Sequence, residues 1–321
     1  MLWSSSMHAG ARFATRLVAG GVGVAMMVGA CSSAESDRPD ARVFGEQCRP
    51  GGTFTLGGRA AVLGSLNVHV NASGLVEVDT TAELLIAMDV VQHGTELAVE
   101  ATACGLTIPD VPIQGQDQPI QFEVGEATIA SVAKVTGSAT LSSPDQTCAD
   151  FISDRFTIII GAQFSPETAA TSTLPAADNE GKFKFCAPSA DTPCGIAIGV
   201  ECACDQERDH HPGATLAARN VPAVDLDQIY VALRTLFSLN GQVFSSDLVA
   251  GEIEATIEQG VLGCRMASGQ ECNASQIGAV KNLNPMITQQ PGNPSRFRAV
   301  RVPDGTSCAD IIARKDELFP R

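Results

Sequence analysis

The residues best suited to chemistry lie in one short acidic stretch. Residues 201–211 read ECACDQERDHH, which combines two cysteines, several carboxylates and two histidines. Carboxylate oxygens and imidazole nitrogens are ligands for divalent ions, and the candidate ligands here are Asp209, His210 and His211. The other interpretation is an acidic surface loop held by disulfides. The sequence favours that interpretation, because every candidate ligand is in the same loop and no separate base is evident elsewhere.

No motif in the sequence would place a catalytic group. A GxSxG nucleophile elbow is absent, as are HExxH, Walker A and EF-hand patterns. His69 falls in an alternating strand pattern and His93 in a turn, so neither is marked as a base. We therefore predict no catalytic residue, no cofactor and a non-enzymatic protein. The alternative is an exported hydrolase that is metal-dependent through the 201–211 loop.

Charge and composition limit the classes of partner that this protein is expected to bind. The net charge of −15 argues against nucleic acid, because such binding rests on a basic surface that meets phosphates. The chain has 321 residues, 44% of them hydrophobic, which is enough for a substantial core. Trp3 is the only tryptophan and Tyr230 the only tyrosine, so platforms that stack sugars or bases are not expected.

The cysteine count predicts disulfides. Of the eleven cysteines, ten remain when Cys31 is set aside for the reason given below, and an even count in an exported protein predicts five bonds. Two of the ten recur at one offset: Cys104 and Cys264 are 160 positions apart, as are Cys148 and Cys308. The flanks TCADFI and SCADII also agree, which indicates a degenerate internal repeat.

The repeat predicts equivalent bonds in its two copies, Cys104–Cys148 and Cys264–Cys308. Local closure of the short loops Cys186–Cys194 and Cys264–Cys272 competes with this pairing.

Alternating and apolar runs predict a mainly β or α+β fold of two disulfide-braced, strand-rich copies with a few short helices. The copies are placed at 48–186 and 187–321. Residues 165–181 are small and polar and are interpreted as a linker or long loop. Apolar residues at helical spacing predict a helix over 225–239 in the second copy.

The N-terminus carries an export pattern. Arg12 and Arg16 precede an apolar run over 17–28, and the run ends in Val28-Gly29-Ala30-Cys31 followed by serines. This resembles the lipobox of bacterial lipoproteins over about thirty residues. The resemblance implies a signal peptide at 1–30, a lipidated Cys31 and a flexible tether to residue 47. An ordinary signal peptide with a nearby cleavage site is the alternative.

These observations predict a lipid-anchored protein of the bacterial cell envelope. The resemblance implies a membrane partner through Cys31, and the serine after it resembles the outer-membrane sorting pattern of such lipoproteins. The body is expected to bind an unknown protein or small ligand, and no nucleic acid. One form of this hypothesis is a carrier of an apolar molecule, because strand-rich folds can enclose a cavity.

Overall fold

Strands make up most of the described chain, which confirms the predicted mainly β class. The computed structural model describes residues 48–72, 76–112, 117–186, 194–196, 201–221, 225–283 and 286–320. The strands are β1 (Gly57–Ala72), β2 (Val76–His93), β3 (Glu96–Thr107), β4 (Gln121–Val124), β5 (Val135–Leu141), β6 (Asp150–Ser153), β7 (Phe156–Ile160), β8 (Ala162–Phe164), β9 (Gly195–Ile196), β10 (Cys202–Ala203), β11 (Ala214–Arg219), β12 (Leu226–Ser245), β13 (Leu248–Met266), β14 (Met286–Gln289) and β15 (Ser295–Arg301). The helices are α1 (Glu126–Ser131), α2 (Ala274–Leu283), α3 (Cys308–Ala313) and α4 (Lys315–Leu318).

Eight of the described strands close into a ring. The order is β13-β15-β1-β2-β3-β5-β6-β12, and β12 pairs with β13 to complete it. Every pairing around the ring is antiparallel. Closure leaves no unpaired strand along this path, which satisfies the backbone groups that an open sheet edge would expose.

The ring changes the expected domain division. Within the ring, strands of 48–186 and of 187–321 are hydrogen-bonded to each other at two places, β6 to β12 and β15 to β1. Outside the ring, β7 pairs with β12, β4 with β11 and β14 with β1. The expected boundary therefore falls inside one compact unit, to which the described residues from 48 to 320 belong. The two segments do not form separate bodies, because both contribute strands to the same sheet. The duplication itself stays a hypothesis.

The helix predicted over 225–239 is wrong, since that segment is the first part of β12. Odd-numbered side chains such as Ile229 and Val231 face the interior of the ring. Even-numbered ones such as Tyr230 and Ala232 pack outward against Phe164 and its neighbours. With both faces of the strand buried, apolar residues occupy consecutive positions, and a run of this kind also satisfies helical spacing.

One end of the ring, which we call the lower end, is filled with apolar side chains that include Phe151, Phe156, Phe237 and Phe297. Phe156 stacks on Phe237 with ring centroids 5.3 Å apart, and Phe151 lies 6.1 Å from Phe297. On the outside of β1, β2 and β3, helices α3 and α4 cover a second cluster that includes Ile311. A capping box between Ser307 and Asp310 begins α3. The two faces of β1–β3 are thus buried against different layers.

Residues 165–181 are not a free linker but a loop packed on the outer face of β12 and β13. The Ala177 N–H donates to the Val261 carbonyl at 2.9 Å. The buried Arg234 guanidinium donates to the Ala169 carbonyl at 3.1 Å and to the Ser172 carbonyl, and it pairs with Glu258. The small residues of the segment therefore serve close packing rather than chain flexibility.

The ten described cysteines form five disulfides, as their even count predicts: Cys48–Cys148, Cys104–Cys308, Cys186–Cys202, Cys194–Cys204 and Cys264–Cys272. The pairs expected from the repeat, Cys104–Cys148 and Cys264–Cys308, are wrong. Of the two local closures considered, Cys264–Cys272 is confirmed and Cys186–Cys194 is not.

Geometry explains the pairing of Cys104. It lies in the upper part of β3, whereas Cys148 follows β5 at the lower end, where Glu96 pairs with Thr140. At about 3.3 Å per residue, the rise from Glu96 to Cys104 is about 26 Å, far beyond the reach of a disulfide. Helix α3 instead brings Cys308 to a Cα distance of 5.0 Å from Cys104.

In the part of the chain that the structure describes, no helix has the length and apolar character needed to cross a membrane. The expected signal peptide, Cys31 and the tether to residue 47 lie outside the described residues.

Candidate ligand-binding cavity

An apolar cavity of about 190 Å³ lies above the filled end of the ring. One wall is formed by β14, β1, β2 and β3, and the facing wall by β13, β12, β11 and β4, with β7 beside β12. Two other cavities in the described part of the chain are much smaller, about 50 and about 10 Å³. The large cavity is therefore the natural place to look for a small-molecule site.

Strand alternation creates the lining of this cavity. On β1, Leu66, Val68 and Val70 face inward, two positions apart, as side chains of one face must be. On the facing wall the inward series is Ile229, Val231, Leu233 and Thr235 on β12, and Ile257, Gln259 and Val261 on β13. The next inward position of β12 is the larger Phe237, which packs in the filled end of the ring, so the cavity ends there.

The lining contains almost no polar groups. Among the described residues 28 line the cavity, and only Thr80, Thr235 and Gln259 are polar. None of the 28 is charged. Such a surface favours an apolar ligand, because a charge placed there would lose its hydration without gaining a partner.

Helices α1 and α2 each contribute a side chain to the cavity lining. Ile129 of α1 and Val280 of α2 belong to the lining. Helix α2 is held on the protein by the Lys281 ammonium, which donates to the Ala177 carbonyl, and by the Cys264–Cys272 bond just before it. Helix α1 is held by Gln206, whose amide donates to the Ser131 carbonyl at 3.0 Å.

Glu207 also holds α1, through the buried Thr128. The Thr128 hydroxyl donates to Glu207 Oε1, which also accepts the Thr215 N–H at 3.0 Å. The second oxygen, Oε2, is buried without a hydrogen-bond partner. Burial raises the pKa of the Glu207 carboxyl above its ordinary value, against the opposing effect of the Thr128 hydrogen bond. The site therefore disfavours the ionised form of this side chain.

The loop containing the predicted metal ligands lies outside the cavity lining. Carboxylate oxygens of Asp205, Glu207 and Asp209 come within 4.8 Å of one another, whereas His210 and His211 are not part of this group. His210 is exposed. The structure thus brings Asp209 together with two acids that the prediction did not include.

Hydrogen bonds within the loop use most of these carboxylates. Asp205 accepts the N–H groups of Asp209 and His210 at 3.1 and 2.8 Å. Asp209 accepts the His211 N–H at 2.9 Å and the Thr215 hydroxyl at 2.7 Å. These bonds fold the loop upon itself and support the interpretation of an acidic, disulfide-held surface loop.

His211 has a packing role next to the buried Tyr230. Their rings stack with centroids 4.4 Å apart, and the Tyr230 hydroxyl donates to Glu271 at 3.1 Å. Burial raises the Tyr230 pKa, and the neighbouring Glu271 charge raises it further. This arrangement joins the loop to the outer face of β12.

No protein-family model, curated protein or solved structure matches this chain. Functional inference therefore rests on the chemistry of its own residues.

Sequence reasoning named no residue of the cavity lining. The alternation of β1 was visible, whereas the 225–239 part of β12 was interpreted as a helix. Alternation alone also does not say whether an inward face meets another side chain or an open space. The hypothesis of an apolar carrier anticipated the kind of site without locating it.

Proposed function

We propose that this protein is a non-enzymatic carrier that holds an apolar small molecule between the two walls of the cavity. One observation carries the proposal: 25 of the 28 described lining residues are apolar and none is charged. An apolar ligand gains free energy by leaving water for such a surface.

The size of the cavity fits one small apolar molecule. A water molecule occupies roughly 30 Å³ in the liquid, and a methylene group is similar in size. The 190 Å³ present therefore accommodates about six such groups. An apolar cavity of about 150 Å³ binds benzene, so a short hydrocarbon chain or a single ring fits better than a two-chain lipid.

Stability also favours an occupied cavity. Residual apolar space lowers stability by roughly 24 cal/mol per Å³. For a cavity of about 190 Å³ this amounts to about 4–5 kcal/mol. That is a large part of the 5–15 kcal/mol by which domains are typically stable. A ligand that fills the space would offset much of it.

The location belongs to the same proposal. The lipobox resemblance at Cys31 supports a lipid anchor at the bacterial cell envelope, with the outer membrane as the expected site. A tether over 32–47 would reach roughly 20–25 Å as a flexible coil. A carrier held at that distance has lipid molecules close at hand.

The experiment is to extract the full-length protein from its own envelope and measure its mass by native mass spectrometry, then to titrate the delipidated protein with a small apolar fluorescent probe. We expect a bound small molecule and saturable probe binding. A protein that arrives without ligand and binds no probe would contradict the proposal.

A matched pair of variants locates the site. Ala103 lines the cavity from β3, whereas Ala98 on the same strand faces solvent. Ala103→Phe should lower probe affinity by at least about tenfold, equivalent to 1.4 kcal/mol, because the ring occupies ligand space. Ala98→Phe should leave affinity unchanged. Equal affinities for the two variants would place the probe elsewhere.

A further inference from the structure

Two polar side chains interrupt the apolar wall at neighbouring positions. In the register of β12 and β13, Leu233 lies opposite Gln259, and Thr235 lies opposite Ile257. Thr235 and Gln259 are thus diagonal neighbours on one face, about 7–8 Å apart and within reach of a long side chain. Both line the cavity, so they form one polar spot on an otherwise apolar wall.

The spot lies at the deep end of the cavity. Along β13, Gln259 has the lining residues Ile257 and Val261 on its two sides. Along β12, Thr235 follows the lining residue Leu233 and precedes Phe237 of the filled end. A polar group among apolar side chains is stabilised only when it is hydrogen-bonded. An amide has two N–H donors and two acceptor lone pairs, and a hydroxyl can both donate and accept. Each can therefore bond a ligand in addition to any protein partner.

We infer that the ligand is a small apolar molecule with an uncharged carbonyl, such as an ester, at one end, and that Gln259 and Thr235 recognise that carbonyl. This inference rests on the proposed function and names the chemical class of its ligand. The Gln259 amide N–H and the Thr235 hydroxyl donate to the carbonyl oxygen, while the hydrocarbon part of the ligand contacts the apolar walls.

Charge excludes the nearest alternative, an ionised fatty acid with its carboxylate inside. None of the described lining residues is charged, so no lysine or arginine is present there to pair with a carboxylate. Burying an unpaired carboxylate in an apolar site is strongly unfavourable. An ester keeps the hydrogen-bonding carbonyl without the charge.

The test compares three probes of equal, short chain length on the full-length delipidated protein at pH 8. They are an n-alkane, the methyl ester of a straight-chain carboxylic acid and the ionised form of that acid. We expect the ester to bind more tightly than the alkane by about two- to tenfold, the usual range for a net hydrogen bond, and more tightly than the carboxylate by at least that factor.

Variants then assign the preference to the two residues. Gln259→Leu and Thr235→Val remove the polar groups at nearly constant volume, and each should reduce the ester preference toward unity while alkane affinity is kept. Thr256→Val on β13 and Gln242→Leu on β12 are the controls, because both residues are exposed. They should retain the ester preference of the unmodified protein.

The outcomes separate the two proposals. If the unmodified protein binds none of the probes, the carrier function itself is overturned. If it binds them without preferring the ester, or if both cavity variants keep the preference, the carrier function stands and the inference about the ligand class is overturned. Two independent variants keep the test decisive should one of them fail to fold.

Discussion

Two disulfides of this protein differ greatly in loop length and little in burial, which allows a quantitative test of how they stabilise the fold. Cys104–Cys308 spans 204 residues and Cys264–Cys272 spans eight. In each bond one cysteine is buried and the other is half-buried. Replacing both partners by alanine therefore removes similar packing in the two cases.

The expected magnitudes follow from the entropy of loop closure in the unfolded chain. For 204 residues the loss at 25 °C is about 5 kcal/mol, and for eight residues it is about 2.5 kcal/mol. The variant Cys104→Ala with Cys308→Ala should thus be less stable than Cys264→Ala with Cys272→Ala by about 2.5–3 kcal/mol.

The assay is guanidinium unfolding of both variants and the unmodified protein, without reductant and without ligand, followed by two probes to test two-state behaviour. Similar losses, or a larger loss for the eight-residue loop, would refute the reasoning. The stabilisation would then come from contacts in the folded state and not from restriction of the unfolded chain.

Three further predictions concern single side chains. Because burial raises the Glu207 pKa in the folded protein, the ionised carboxylate lowers stability above that pKa. In chemical unfolding, Glu207→Gln should therefore gain more stability over the unmodified protein at pH 8 than at pH 4. The same stability difference at both pH values would contradict this. Arg234→Met should lower stability by about 3–5 kcal/mol, because it breaks the ion pair of a buried arginine with Glu258. Arg219→Met, at an exposed ion pair, should change stability by less than about 1 kcal/mol. Equal decreases in the thermal unfolding midpoint would contradict a stabilising role for the buried pair. Gly161→Ala should lower stability more than Gly94→Ala, because both have positive φ but only the Cβ at residue 161 would meet backbone, 2.4 Å away; equal midpoints would refute this.

Local patterns predicted those features that depend on neighbours along the chain. Residues 66–70 and 75–79 alternate in the sequence on either side of the turn-forming residues 71–74, a pattern typical of a hairpin. The corresponding strands β1 and β2 are paired through sixteen positions. The even cysteine count predicted a fully paired set. Both follow from rules that need no knowledge of the rest of the fold.

Predictions failed where contacts come from distant segments. β12 was interpreted as a helix because both of its faces are buried, and its outer face is buried by β8 and the 165–181 loop, which pack there only in the folded protein. The pairing of Cys104 depended on α3, which lies 204 residues later in the chain. Neither neighbour can be read from the local pattern.

The candidate site shows the same division. Asp209, His210 and His211 are adjacent in sequence and were therefore easy to group, yet the histidines serve neither the carboxylate group nor the cavity lining. The cavity is assembled from strands that are far apart in sequence, so no short stretch carries its signature. Gln259 and Thr235 become neighbours only through the register of β12 and β13.

The sequence by itself determined the class of the fold, the number of its disulfides and the inward alternation of apolar residues, because each depends on residue type and short-range spacing. It also carries the lipobox resemblance at Cys31. Only the tertiary structure decided which cysteines pair, how 48–186 and 187–321 share one ring, and where the inward-facing side chains of the two walls are too far apart to be in contact. That last feature, the open space between the walls, depends on the distance between strands, and it is the basis of the proposed function.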